Sequence, residues 1–296
     1  MIFVARGKTP DSLKLDDPTS AGARELAAAR AFNEPPPGTF YKAYKRPDVR
    51  EALRDLFHGK CAYCEGTIAG TSDTDIEHYR PKGAVKEAEE VGFDHPGYWW
   101  LAMDYTNLVL SCSHCNQGRK QLIIDPDWSA DEIEDAFENG EMVLRGKLHS
   151  FPVAHQSWVT TPDENISLEE PLIIDPTITD PNDHLEFLID GPLVTVIAKQ
   201  GSEIGARTID VLGLNRRRLT EERLQKALLL RNMRDKIRKR IRRLDDADDQ
   251  TAQFLKDDLL EDIQSFQLHC SVAQPFSAIG TQLLTALIHE LQEAIS

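Results

Sequence analysis

Apolar residues recur at helical spacing through the last third of the chain, where the pattern predicts a bundle of helices. The first of these helices is predicted to open at Thr220, which serves as its N-cap. Its apolar positions are Leu224, Leu228, Ile237, Ile241 and Leu244. Two further apolar patterns, at 250–269 and 276–295, predict the helices that close the bundle.

The rest of the chain has a less regular pattern. Segments at 21–32 and 47–57 predict short helices on either side of the stiff sequence "EPPPG". Further on, the apolar runs in "EFLIDGPLVTVIA" predict a hairpin or loose strands. We therefore divide the chain into an N-terminal arm with short helices, a compact core, an irregular segment with a hairpin or short strands, and a C-terminal helical region: 1–58, 59–125, 126–205 and 206–296.

Composition and charge narrow the class of protein. The chain has 296 residues, no apolar leader and no apolar run of about 18 residues, so we expect a cytoplasmic protein without a membrane span. Its formal net charge of −15 argues against a protein that coats nucleic acid by bulk attraction. Residues 205–244, however, contain 14 Lys and Arg against 4 Asp and Glu. A local basic face therefore remains available to a nucleic acid or an acidic partner.

Four of the five cysteines form two CxxC pairs, which are the strongest chemical signal in the sequence. The pairs are Cys61 with Cys64 and Cys112 with Cys115. In a chain without an export signal, this spacing predicts a structural zinc ion held by four thiolates. His114 lies inside the second pair, but the four ligand positions are already filled, so we expect it to face solvent or to support the site. Cys270, in an apolar C-terminal stretch, is expected to be a core residue.

Polar residues of a second kind surround the cysteine pairs. The segment "TDIEHYRPKG" places Glu77 and His78 at the end of a predicted strand, and taken alone it describes an ordinary surface strand. Asn107 opens "NLVLSC", which predicts the returning strand of a hairpin. Asn116 directly follows the second cysteine pair, in the first turn of a predicted helix.

The chain resembles the HNH nucleases in the order of its cysteine pairs and of these polar residues. The resemblance rests on "CAYCE", "DIEHYRPK" and "NLVLSCSHCNQGRK", which together span 59–120. It implies an α+β protein with a ββα-metal core that is stapled by the four-cysteine zinc site and flanked by the N-terminal helical arm and the C-terminal helical bundle. It also implies a metal-dependent endonuclease that hydrolyses phosphodiester bonds of DNA.

The resemblance also implies a role for each polar residue. His78 is the general base, because an imidazole that titrates near neutrality can deprotonate water, and Asn107 helps to hold it. Glu77 and Asn116 supply oxygen ligands to Mg²⁺ or Mn²⁺, although the family more often has Asp at the first position and often has His at the second. The candidate phosphate contacts are Arg80 and Lys82 beyond the strand, and Arg119 and Lys120 on the helix of Asn116.

The flanks of the core are similar to one subgroup of this family, the PtuB-like nucleases of Septu and retron anti-phage systems. The similar segments are "ARGKTPDSL", "EEPLIIDPTITDPNDHLEFLIDG" and "GARTIDVLGLNRRRL". The similarity implies an effector nuclease that acts on DNA under the control of a PtuA-like ABC-type ATPase, or in a complex with retron RNA and a reverse transcriptase. Compared with that pattern, 121–150 looks like an insertion with an acidic helix of no assigned role.

Two alternatives to an active nuclease remain open at this point. A non-catalytic zinc module that binds nucleic acid or a protein partner would explain the cysteines but not the ordered polar residues. A regulatory subunit whose nuclease site is silent without its partner would explain both. The role of the basic helix over 231–243 also has several alternatives. It can bind DNA, retron RNA or an acidic partner, or pair with the "DDADDQ" that follows it.

Overall fold

Helices and short strands alternate along the part of the chain that this computed structural model describes, which is residues 1–32, 34–68, 74–244 and 247–295. Within those ranges the strands pair as three separate antiparallel sheets of two strands each. The α+β class expected from the sequence is therefore confirmed.

The N-terminal arm contributes two helices, both close to their predicted positions. Helix α1 (Ala21–Ala29) begins after Ser20, whose side chain accepts a hydrogen bond from a backbone N–H of the first turn. Helix α2 (Pro47–Leu56) begins with a proline, whose missing N–H would have no partner in a first turn. Val49 and Leu53 of α2 are fully buried in the main hydrophobic core, which anchors the arm to the centre of the protein.

The central hairpin consists of strands β1 (Thr74–His78) and β2 (Leu108–Cys112), and it leads directly into the one-turn helix α4 (Ser113–Asn116). The strands are antiparallel, with His78 opposite Leu108. The hairpin predicted from "NLVLSC" is thus confirmed. Its register places the end of β1 beside Asn107, which directly precedes β2.

Helix α4 ends at Asn116, so the prediction that Arg119 and Lys120 continue this helix was wrong. Both residues lie in strand β3 (Arg119–Leu122), which pairs with β4 (Met142–Arg145). Pairing with a segment that is distant in sequence overrides the local preference for a helix.

The predicted insertion, 121–150, folds back onto the central hairpin. Between β3 and β4 it forms helix α5 (Ala130–Asn139), whose start is fixed by a capping box of Ser129 and Glu132. After β4 the chain turns at Gly146, whose φ of 137° is unfavourable for any other residue. A Cβ atom at Gly146 would also lie 2.1 Å from the carbonyl oxygen of Gln117, so this turn requires glycine.

The irregular part of the chain contains a second hairpin at the place that "EFLIDGPLVTVIA" predicted. Its strands are β5 (Leu185–Leu188) and β6 (Thr195–Ala198). A short helix α3 (Lys86–Glu90) lies in the loop between β1 and β2, and helix α6 (Glu203–Leu212) packs on β6. Helix α6 ends at Gly213, which adopts the left-handed conformation that commonly stops a helix.

The C-terminal region is helical, as predicted, with α7 (Arg217–Leu244), α8 (Asp249–Cys270) and α9 (Ser277–Ile295) packed on one another. The prediction of Thr220 as an N-cap was wrong, because α7 begins at Arg217 and the Thr220 hydroxyl donates to the carbonyl of Arg217 inside the helix. Among the described helices, none combines the length and the apolar character needed to cross a membrane.

Several basic residues of α7 pair with acidic residues of the same chain. The pairs are Arg231 with Asp190, Lys236 with Asp262, Arg238 with Glu290, and Arg240 with Asp258 and Asp262. Pairing within the chain was one of the open alternatives, but most of the acids belong to α8 and α9 rather than to "DDADDQ". Asp245 and Asp246 of that sequence lie outside the described residues.

Glu65, directly after the first cysteine pair, joins this helical region to the centre of the protein. Its carboxylate accepts hydrogen bonds from the N–H and the hydroxyl of Ser277, at 3.1 and 2.8 Å, where α9 begins. The backbone nitrogen of Met1 lies 2.9 Å from the other carboxylate oxygen. Because Glu65 is buried, these contacts fix the cysteine region against α9.

Candidate functional site

The two cysteine pairs meet beside the central hairpin. The four Sγ atoms lie within 4.8 Å of one another, and those of Cys64 and Cys112 are 3.9 Å apart. In a tetrahedral zinc site with Zn–S bonds of about 2.3 Å, the sulfur atoms are separated by roughly 3.8 Å. The residues that the sequence predicted as metal ligands are therefore positioned to bind one metal ion: Cys61, Cys64, Cys112 and Cys115.

A buried arginine, Arg216, lies against this cluster. Its guanidinium nitrogens are 3.5 Å from the Sγ atom of Cys115 and 4.0 Å from that of Cys112. Burial lowers the pKa of Arg216, but the thiolates of Cys115 and Cys64 outweigh burial and raise this pKa above its ordinary value. Four thiolates around a divalent ion carry a net charge of about −2, which the guanidinium partly offsets.

His78 ends strand β1 with its imidazole fixed on both sides. The Nε2 atom lies 2.9 Å from the carbonyl oxygen of Ala102. A carbonyl only accepts, so Nε2 carries the proton of a neutral imidazole and Nδ1 carries the lone pair. The Nζ atom of Lys82 lies 3.5 Å from Nδ1, and the ring of Tyr44 meets the imidazole edge-on with 4.6 Å between the ring centres.

The surroundings of His78 keep it neutral. Burial lowers the pKa of His78 to about 3, with the positive charge of Lys82 as the second cause. The imidazole is therefore unprotonated near pH 7, and its lone pair points to the side of the ring where Lys82 lies. The imidazole therefore titrates well below neutrality, contrary to the expectation from the sequence, and it becomes a stronger proton acceptor when the charge of Lys82 moves away.

The side chain of Asn107 bonds to the backbone of two segments close to His78. Its Oδ1 atom accepts from the N–H of Arg80 at 2.8 Å, and its Nδ2 atom donates to the carbonyl oxygens of Arg80 at 3.0 Å and Leu101 at 3.3 Å. Leu101 directly precedes Ala102, whose carbonyl holds the imidazole of His78. Asn107 thus ties the segment after β1 to the segment that supplies the histidine's partner.

Glu77 points into the protein, where it meets a lysine from the end of the insertion. The Nζ atom of Lys147 lies 2.9 Å from Glu77 Oε1 and 2.9 Å from the backbone carbonyl oxygen of His78. The side chain of Lys147 is 0% exposed and that of Glu77 is 9% exposed. Because a buried charge is stable only when it is paired, this ion pair fixes the carboxylate next to the histidine.

Asn116 lies close to the same lysine through the backbone. Its carbonyl oxygen accepts from the N–H of Leu148 at 2.7 Å, and the carbonyl oxygen of Cys115 accepts from the N–H of Lys147 at 2.8 Å. The two residues after Gly146 therefore connect α4, which carries Asn116, to β1, which carries Glu77. The structure thus links three of the predicted site residues, Glu77, His78 and Asn116, through one short segment.

The four basic residues predicted to contact phosphate occupy different environments. Arg80 forms an ion pair of 2.8 Å with Glu169, and its guanidinium lies among the rings of Tyr79, Tyr98 and Phe151. Its side chain is only 15% exposed. These contacts describe a residue that holds the core together around the end of β1.

The other three basic residues lie nearer to solvent. Lys82 is half-buried beside His78, whereas Arg119 and Lys120 are exposed on β3. Lys120 and His114 line a cavity of about 470 Å³ beside the cysteine cluster. Lys82 is thus the basic residue that the structure brings next to the histidine.

Sequence reasoning missed Lys147, Arg216 and the carbonyl of Ala102. Lys147 lies in a segment that looked like an insertion, and Arg216 was one of three consecutive arginines in a basic run. A backbone carbonyl leaves no signal in a sequence. None of these contacts follows from local spacing, because each joins residues that are distant along the chain.

The chain is similar to known Septu proteins. No family model matches the chain. The chain is 36% identical over 228 residues to Septu protein PtuB of Bacillus mycoides (strain KBAB4). The aligned region covers 77% of this chain and 67% of that protein. The chain is also 27% identical over 178 residues to Septu protein PtuA of the same strain. That aligned region covers 60% of this chain and 20% of PtuA.

Proposed function

The chain belongs to the family of the Septu protein PtuB, and from this premise we propose that it is a metal-dependent HNH endonuclease that hydrolyses phosphodiester bonds of DNA. The observation that carries the proposal is the state of His78. Its imidazole is neutral, its tautomer is fixed by Ala102, and its basic nitrogen lies beside the ammonium of Lys82.

In the proposed reaction, the Nδ1 atom of His78 accepts a proton from the attacking water. The phosphate of a bound substrate attracts the ammonium of Lys82, which now lies 3.5 Å from Nδ1, and this leaves the lone pair open to the water. Asn107 keeps the Ala102 carbonyl and the end of β1 in register, so the imidazole stays oriented while its charge changes. Arg80, paired with Glu169, stabilises this arrangement rather than contacting the phosphate.

The proposed catalytic metal is Mg²⁺ or Mn²⁺, and the donor chemistry fits it. Glu77 and Asn116 provide a carboxylate and an amide, both oxygen donors, which hard divalent cations prefer. When bound, the cation would offset the negative charge that accumulates on the phosphate and the leaving oxygen. For the four thiols, the spacing of the sulfur atoms supports zinc in a purely structural role.

We further propose that the nuclease is the effector of an anti-phage defence system and works with a PtuA-like ABC-type ATPase. The similarity to part of PtuA supports this, because a segment like this chain occurs within that larger protein. Sequences that occur joined in one chain commonly act together when they are separate. A complex with retron RNA and a reverse transcriptase is the alternative assembly, and co-purification from cells that express each set of genes distinguishes them.

The proposal is tested with the His78→Ala variant on supercoiled plasmid in the presence of Mg²⁺ or Mn²⁺. Removal of a general base lowers the rate by roughly 10²–10⁴-fold. The matched control is His289→Ala, because His289 is an exposed histidine on α9. Both variants must retain one zinc per chain and the wild-type melting temperature.

Equal cleavage by wild type and His78→Ala would reject the assignment of His78. DNA binding without any His78-dependent cleavage, with or without the ATPase, would instead favour the non-catalytic zinc module. A wild-type protein that cleaves only after the ATPase is added would be the silent subunit of the third hypothesis. Measuring cleavage with and without the partner therefore separates all three.

A further inference from the structure

The buried lysine from the insertion, Lys147, has no role in the reaction proposed above, although it touches two of its residues. Its ammonium lies 2.9 Å from Glu77 Oε1 and 2.9 Å from the carbonyl oxygen of His78. Its side chain is fully buried. A lysine is rarely buried in this way, because the loss of hydration is compensated only by a close and well-oriented partner.

The backbone around Lys147 is built to deliver this side chain. Gly146 adopts a φ of 137°, and a Cβ atom there would collide with the carbonyl oxygen of Gln117 at 2.1 Å. The N–H groups of Lys147 and Leu148 then bond to the carbonyls of Cys115 and Asn116. The ammonium is thereby held at the carboxylate by hydrogen bonds to α4, the short helix that carries Cys115 and Asn116.

The ammonium contacts the carboxylate at which the proposed function puts a divalent metal. Two cations that share one carboxylate lie within about 5 Å of each other and repel strongly where little water screens them. Binding of the metal and pairing with Lys147 therefore oppose each other. A positive charge that is already in place lowers the affinity of the same carboxylate for a second cation.

We propose that Lys147 is a built-in counter-ion of Glu77 that competes with the divalent metal for this carboxylate, so the segment that carries Lys147 sets the metal affinity of the site. The inference rests on the proposed function, in which Glu77 is a metal ligand. Lys147 acts through Glu77 and is a positioning residue. A segment that looked like an insertion without a role thus determines how readily the site takes up its metal.

The test compares three variants of the zinc-loaded protein by titration with Mn²⁺ in the absence of DNA, followed by electron paramagnetic resonance and calorimetry. Lys147→Gln removes the charge but keeps a hydrogen-bond donor for Glu77, and Lys147→Arg keeps the charge. Lys86→Gln removes the same charge from an exposed lysine on α3. We expect Lys147→Gln to bind Mn²⁺ about tenfold more tightly than wild type, which corresponds to about 1.4 kcal/mol, while the other two variants bind like wild type.

A purely structural role for Lys147 predicts the opposite result, because loosening Glu77 would weaken metal binding. Unchanged or weaker Mn²⁺ affinity in a folded, zinc-loaded Lys147→Gln protein would overturn the inference. If that variant does not fold, the wild-type protein decides by acylation of its lysines with and without saturating Mg²⁺. We expect Mg²⁺ to increase the acylation of Lys147 relative to Lys86, and no increase would likewise overturn the inference.

The outcome is distinguishable from a failure of the proposed nuclease function. Cleavage that depends on His78, together with an Mn²⁺ affinity that Lys147→Gln leaves unchanged, would reject the counter-ion role and keep the nuclease. Tighter Mn²⁺ binding by Lys147→Gln, without cleavage in any preparation, would keep the counter-ion role and reject the nuclease.

Discussion

The Nε2 atom of His78 donates its hydrogen to the carbonyl oxygen of Ala102, 2.9 Å away, across the loop that separates the two strands of the central hairpin. This bond selects one tautomer of the imidazole and leaves Nδ1 as the basic nitrogen. The surrounding protein buries the ring in its neutral form, and the stability of the fold therefore depends on the protonation of this residue.

Acidification is expected to destabilise the protein through His78. Its pKa is about 3 in the folded protein and about 6.5 when unfolded, so between these values only the unfolded chain binds the proton. The contribution of His78 to the free energy of unfolding is therefore complete above about pH 6.5 and is lost as the pH falls toward 3. From pH 7 to pH 5 the free energy of unfolding should decrease by about 2 kcal/mol more in wild type than in His78→Gln.

The measurement is denaturant unfolding at pH 7, 6 and 5 on both proteins. Other acid-sensitive groups, including the cysteine cluster, are present in both and cancel in the difference. The same loss of stability in His78→Gln as in wild type would show that His78 is protonated in the folded protein.

Replacement of Asn107 is expected to affect both stability and activity. Asn107→Ala leaves the backbone N–H and carbonyl of Arg80 without their partner, which costs about 2–4 kcal/mol. Asn107→Asp has the same shape but turns a carboxylate oxygen toward the carbonyls of Arg80 and Leu101, so we expect it to be at least as unstable. Thermal unfolding and plasmid cleavage measure the two effects.

The exposed residue Asn139 on α5 provides the control for Asn107, since Asn139→Ala should leave the melting temperature nearly unchanged. An Asn107→Asp protein with wild-type stability would mean that the backbone around Arg80 is held by other contacts. In that case the loss of cleavage, if any, would have to come from a direct effect of Asn107 on the histidine.

The cysteine cluster is expected to contribute most of the local stability. Structural zinc adds on the order of 10 kcal/mol to the folding of such a unit, so Cys115→Ser should lose its zinc and unfold around the central hairpin. Cys270 supplies the matched control, because it lies on α8 away from the cluster, and Cys270→Ser should keep one zinc per chain. Metal analysis and thermal unfolding with and without a chelator measure the result, and a zinc-loaded, stable Cys115→Ser protein would contradict the four-thiolate site.

The part of the site that could be predicted from the sequence is the part determined by local spacing. Each CxxC pair places two thiols in one turn, and "NLVLSC" folds as the strand that it predicted. Because a structural zinc ion needs four ligands, the meeting of the two pairs could be predicted although Cys64 and Cys112 lie 48 residues apart. Lys147 and Glu77 are 70 residues apart, and their contact depends on the turn at Gly146. Tertiary contacts of this kind have no periodic pattern, so the sequence left Lys147 without a role.

The same difference explains the two errors in secondary structure. Helix α4 does not continue beyond Asn116, because the residues after it pair with β4, which follows α5 in the sequence. Thr220 is an acceptable N-cap by type, but Gly213 stops α6 and lets the next helix start three residues earlier, at Arg217. A strand that is distant in sequence thus determines where α4 ends, and the end of the preceding helix determines where α7 begins.

The basic residues of α7 that form ion pairs within the chain are expected to contribute to stability rather than to DNA binding. Arg240 forms ion pairs with Asp258 at 3.0 Å and with Asp262 at 3.1 Å, and its side chain is only 19% exposed. Arg240→Gln should therefore lower the free energy of unfolding by about 1 kcal/mol and leave DNA affinity unchanged. Denaturant unfolding and binding of labelled duplex at two salt concentrations measure this, and a drop in affinity with unchanged stability would show that α7 faces the DNA.

Lys82 is expected to be the residue that connects DNA binding to the histidine. Its charge lowers the pKa of His78, and its Nζ atom lies 3.5 Å from the Nδ1 atom that the proposed reaction uses. Lys82→Gln should weaken DNA binding, reduce the salt dependence of binding by about one phosphate contact, and lower the cleavage rate. Lys82→Arg keeps the charge and should restore binding, whereas Lys86→Gln removes an exposed lysine elsewhere and should have no effect. Binding titrations from 50 to 200 mM salt decide the matter, since an unchanged salt slope in Lys82→Gln would mean that the ammonium stays on the histidine when DNA is bound.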